Sequence, residues 1–105
     1  MLLSPAADKP FTADQWAECA QIALFRSESA SGDAQDDLIG EASNYFDKAG
    51  ALLFPGKELG DEEYEALSQK GQARLAEQVA LSKQMGAVKY ANLALTVCRL
   101  EIQRS

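Results

Sequence analysis

The residues best placed to do chemistry in this chain are the carboxylates Asp61, Glu62, Glu63 and Glu65. Paired carboxylates can act as general acid and base or hold Mg²⁺. At the start of a helix, however, such a cluster serves to cap it and to oppose the positive end of its dipole. No other residue nearby completes a catalytic set. The chain has no histidine, which removes the usual base near neutral pH and the commonest transition-metal ligand. A His-based triad and the Glu-x-x-His pattern of di-iron bundles are thereby excluded. The run from Asp33 to Gly40 lacks the EF-hand glycine at its sixth position, and Asn44 stands where the twelfth needs glutamate. Pro55-Gly56-Lys57 lacks both the upstream glycine and the following Ser or Thr of a phosphate loop, and reads as a turn. No catalytic, cofactor-binding or metal-binding residue is assigned, and a non-enzymatic protein is expected.

Cys19 and Cys98 are the two cysteines, far apart and in no metal-ligand spacing. They read as small buried apolar residues with reduced thiols. The first ten residues, MLLSPAADKP, offer neither a basic region nor an apolar run of signal-peptide length. No stretch reaches the roughly 20 apolar residues needed to span a bilayer. A cytoplasmic protein without membrane contact is expected.

Charge is divided along the chain. Residues 1–47 carry nine carboxylates against Lys9 and Arg26, whereas from Ala66 onward six bases face only Glu77 and Glu101. The plain reading is attraction between N-terminal and C-terminal helices. A sharper one is an acidic face that mimics nucleic acid and occupies a basic cleft. Direct nucleic-acid binding is not expected, because no basic stripe is interleaved with aromatics.

Alanine is abundant and β-branched residues are few, so an all-α protein is expected. With 105 residues there is room for one modest core. Residues 1–10, with Pro5 and Pro10, read as a flexible arm, and 11–105 as a single helical domain. Thr12 and Gln15 form a capping box, with Phe11 and Trp16 placed as its hydrophobic staple. The first helix is expected over Ala13–Ser29 and the second over Ala34–Leu53, ended by Phe54-Pro55-Gly56. A third begins near Asp61, with Asp61 as its N-cap, and carries an apolar stripe in phase as far as Leu100.

Because that stripe does not slip at Gly71 or Gly86, the spacing favours one long C-terminal helix with the N-terminal hairpin packed on it. A single helix over 61–104 would run about 65 Å, too long for two short helices to cover. A homodimer or a partner would then be required. A break near Gly71 or Gly86 would give a four-helix bundle instead. Small residues four apart, Ala76/Ala80, Ser82/Gly86 and Ala87/Ala91, permit close packing either within the chain or against another copy. Leu81, Met85, Val88 and Leu95 form a second stripe suited to an adaptable protein contact. The expectation is a small protein-binding regulator of inhibitor, anti-activator or chaperone type. The alternative is the nucleic-acid mimic, and a carboxylate-only enzyme or metal carrier ranks last.

Overall fold

Helix formation starts where the capping box directs it. In the computed structural model, which describes residues 10–104, Thr12 N–H donates to Gln15 Oε1 at 2.8 Å and Gln15 N–H to Thr12 Oγ1 at 3.2 Å. Phe11 and Trp16 pack with ring centroids 5.1 Å apart, which completes the staple. Helix α1 then runs Ala13–Ser27. It stops two residues short of expectation because Ser27 Oγ donates back to Leu24 O at 2.6 Å, and Glu28, Ser29 and Ala30 bond three residues back. Those bonds tighten the chain out of α geometry.

Helix α2 spans Gly32–Leu53 and ends at Phe54, whose ψ of 67° is non-helical, as a residue before proline requires. Helix α3 spans Asp61–Leu81. Gly60, not Asp61, is its N-cap, so Asp61, Glu62 and Glu63 occupy the first turn, where carboxylates face the positive helix end. Helix α4 spans Ala87–Arg104. The described residues are all helix and connecting loop. Of the expected N-terminal arm, only Pro10 falls within them.

The single long C-terminal helix is therefore two helices, and the chain takes the four-helix alternative. Ser82 leaves helical geometry at φ −97° and ψ 43°. Its carbonyl accepts from Met85 N–H at 2.9 Å and Gly86 N–H at 3.3 Å, and Gly86 adopts φ 83°. That conformation suits glycine because it has no Cβ to clash. The apolar spacing runs on without a slip in the sequence, but α4 turns a different set inward: Ala91, Ala94, Leu95 and Cys98 are buried, while Leu93 and Leu100 of the stripe are half exposed. Periodicity alone cannot tell that from one straight helix. The radius of gyration is 13.1 Å, the value of a compact chain this size, so no helix projects from the fold.

Helix α1 is the centre. It packs against α2, α3 and α4, and ten of its fifteen residues are buried. Its Ala17, Cys19, Ala20, Ile22 and Ala23 are fully enclosed. Around it lie Ala42, Tyr45, Phe46 and Ala49 of α2, Leu67 of α3, and Tyr90, Ala91, Ala94 and Leu95 of α4. Trp16 stacks on Tyr45 at 5.8 Å. Close approach is concentrated where α3 crosses α1, since a Cβ on Gly71 would overlap the Ala17 carbonyl. Ala76 and Ala80, by contrast, face outward.

Cys19 and Cys98 correct the expectation of two separate thiols. They form a disulfide with Cα atoms 5.9 Å apart, joining α1 to α4 across 79 residues of sequence. Both are wholly buried. Such a cross-link narrows the unfolded ensemble.

Two glycine substitutions should separate packing from propensity. Gly40, in the middle of α2, has open space at its Cβ position, so Gly40→Ala should stabilise by about 0.5–1 kcal/mol. Gly71→Ala gains the same propensity but presses on rigid backbone, and should destabilise by about 1–3 kcal/mol net. Urea unfolding of the two variants reads both signs.

Candidate functional site

The turn between α3 and α4 presents the apolar surface singled out in the sequence. Once Ser82 leaves the helix, Leu81 and Met85 no longer share one helical face. Leu81 is 71 % exposed and Val88 55 % exposed, on either side of the turn. Met85 folds back, partly buried against the core. Lys83 and Lys89 are exposed beside them. Leu81, Ser82, Lys83, Gln84 and Met85 line a shallow depression at the tip.

Leu95 does not join this surface. It is 4 % exposed and belongs to the core. The stripe that linked it to Leu81 assumed one continuous helix, and the break gives α4 its own orientation on α1. Leu93 and Leu100, half exposed, occupy the outer side of α4 instead.

A second feature lies beneath the surface, where three helices meet on a carboxylate. Glu18 of α1 is completely buried. Tyr90 of α4 donates its hydroxyl to Glu18 Oε2 at 2.6 Å. Arg74 of α3 brings Nε to 3.4 Å from Glu18 Oε1, an ion-pair distance at which neither atom gains a hydrogen bond. Burial pushes the Glu18 carboxyl above its ordinary range, outweighing the pull of Tyr90 and Arg74, and Glu77 adds in the same direction. Burial and the Glu18 hydrogen bond likewise raise the Tyr90 phenol well above its usual value. Full enclosure bars this group from substrate, and its contacts link α1 to α3 and α4. The sequence signal for it is a carboxylate flanked by Ala17, Cys19 and Ala20 on a helix that proves to be central.

The divided charge resolves into contacts between the two halves. Lys70 reaches Asp14 at 3.8 Å, Arg74 reaches Glu18, and Arg99 grips Glu41 with two bonds of 2.8 and 2.9 Å. Tyr45 also donates to Glu41, at 2.5 Å. Burial would raise the Glu41 carboxyl, but the Arg99 and Tyr45 bonds outweigh it and hold the group below its ordinary value. At the far end Glu101 accepts from Phe11 N–H at 3.3 Å and pairs with Arg104 at 3.1 Å.

The acidic cluster at the start of α3 is dispersed. Asp61, Glu62 and Glu65 are exposed, and Glu63 pairs with Lys57 at 2.7 Å. Pro55-Gly56-Lys57 forms a turn, with Lys57 N–H donating to Phe54 O at 3.2 Å. Among the described residues no group of three Cys, Asp or Glu side chains is arranged to hold a metal ion, and no helix is long and apolar enough to cross a membrane.

No known protein family, curated protein or solved structure matches this chain.

The Glu18 site makes a pH prediction. A carboxyl raised in the folded state contributes stability in full below its unfolded value, near 4.5. That contribution is lost as pH rises through the folded value. Glu18→Gln does not titrate, so its stability relative to the wild type should increase as pH rises from about 4 through the folded value of Glu18. Chemical denaturation at several pH values reads this difference, and a flat or falling difference would refute the assignment.

Proposed function

We propose that this protein is a small, non-enzymatic protein-binding regulator that acts through the apolar tip between α3 and α4. The observation that carries this reading is the exposure of Leu81 and Val88 on either side of one turn. Covering their exposed part with a partner recovers a fraction of the about 1.5–3 kcal/mol that full burial of such a side chain gives. Standing at the two ends of the turn, they offer exposed apolar area to a partner. Met85 beside them supplies an adaptable, polarizable edge.

An inhibitor, anti-activator or chaperone type of action fits such a surface, because each works by covering a site on another protein. The nucleic-acid-mimic reading draws less support. Asp14, Glu18 and Glu41 of the acidic half are engaged by bases of the same chain, which leaves a smaller acidic face than the sequence suggests. Work in the cytoplasm would require Cys19 and Cys98 as thiols, whereas their disulfide persists where surroundings are oxidising.

Leu81→Asp combined with Val88→Asp tests the reading. Both side chains are exposed, so helicity by circular dichroism and the unfolding midpoint should stay close to the wild type. Capture of a binding protein by photo-crosslinking from a probe at Gln84 should fall at least tenfold. Unchanged capture would remove the tip as the binding surface.

A further inference from the structure

The tip and the start of α2 are complementary in charge and alike in carrying exposed apolar groups. Most bases of the C-terminal half are satisfied within the chain: Lys70 by Asp14, Arg74 by Glu18, Arg99 by Glu41, and Arg104 by Glu101. Lys83 and Lys89 are the exceptions, having no ion-pair partner among the described residues. The sequence between them and around them, from Gln78 to Leu100, contains no carboxylate at all. Two unpaired cations therefore flank Leu81 and Val88.

The N-terminal half of α2 is the converse. Asp33, Asp36 and Asp37 are exposed and likewise unpaired among the described residues. Ile39, 48 % exposed, stands beside them with Gly40 leaving open space alongside. Asp33 lies in the first helical turn, where the dipole accounts for it. Asp36 and Asp37 lie beyond that turn, and neither forms an ion pair with a base among the described residues.

We infer that the occupant of the tip is a second copy of this chain, with Leu81, Val88, Lys83 and Lys89 of each copy seated on Ile39, Asp36 and Asp37 of the other. The inference rests on the tip being a protein-binding surface and names its partner. A two-fold arrangement satisfies both patches at once, since each copy gives its tip and receives the other's. The contact pairs opposite charges at short range, whereas the net charge of −6 on each copy acts over distances that physiological salt screens beyond about 8 Å. A target protein that engages the same tip must displace the second copy, so self-association sets the threshold for the regulator's action.

Light scattering on the full chain tests this across about 10–200 µM, the range for a micromolar contact. The wild type should reach twice its 11.3 kDa monomer mass. Lys83→Glu/Lys89→Glu and Asp36→Lys/Asp37→Lys should each weaken the dimer at least tenfold while keeping wild-type helicity. Mixed together, the two variants should recover a one-to-one dimer, because the acidic tip of one then meets the basic α2 of the other. A wild type that stays monomeric throughout overturns the inference, as does a mixture that fails to associate. If such a monomer still captures another protein and loses it on Leu81→Asp/Val88→Asp, the tip belongs to that protein and only the self-association falls. If the Asp double variant changes neither mass nor capture, the protein-binding reading falls as well.

Discussion

The whole arrangement depends on how closely α2, α3 and α4 can approach α1. A helix packed on several sides needs small side chains, and α1 supplies Ala13, Ala17, Ala20 and Ala23 with Cys19 among them. The tightest point is the α3 crossing, where Gly71 lies against the Ala17 carbonyl and leaves no room for a methyl group. In return α1 places Trp16 and Ile22 where neighbouring helices cover them. Those two side chains, with the partly buried Leu24 and Phe25, bring large apolar groups to the core, and the alanines set the spacing.

Enclosure has a cost, because α1 also carries polar side chains into the interior. Gln21 is satisfied by Ser68 of α3 at 2.8 Å, and Ser27 by the carbonyl of Leu24. Glu18 is harder to satisfy. Its charge is opposed by Arg74 and its second oxygen is bound by Tyr90, but the Arg74 contact falls short of a hydrogen bond. Removing two charges from water costs several kcal/mol per ion, which imperfect geometry only partly returns. The cluster is therefore better understood as a device that specifies which faces of α3 and α4 meet α1 than as a source of stability. The disulfide acts on the same pair of helices, α1 and α4, from the next residue along α1.

The surface follows from what this interior consumes. Intramolecular pairing uses most of the C-terminal bases and several N-terminal acids, and two patches of exposed charge left without an ion pair stand out among the described residues. One is the tip, with Lys83 and Lys89; the other is the first half of α2, with Asp36 and Asp37. Exposed apolar side chains coincide with both. That coincidence is a property of the fold, since neither patch is distinguished from its neighbours until the internal ion pairs are known.

Local rules were enough for much of the architecture. The Thr12–Gln15 capping box, the Phe11–Trp16 staple and the stop at Pro55 each depend on residues within one or two helical turns, and each stands where the sequence places it. The all-helical class was legible for the same reason. The break at Ser82–Gly86 was not. The apolar spacing shows no slip there, and what separates the two helices is a turn closed on the Ser82 carbonyl with Gly86 at φ 83°. The disulfide, the burial of Glu18 and the inward turn of Leu95 were hidden as well. Each depends on residues from 72 to 79 positions apart, or on the orientation of α4, meeting at one helix. Sequence spacing encodes contacts along a helix; contacts between helices exist only once α1 has been surrounded.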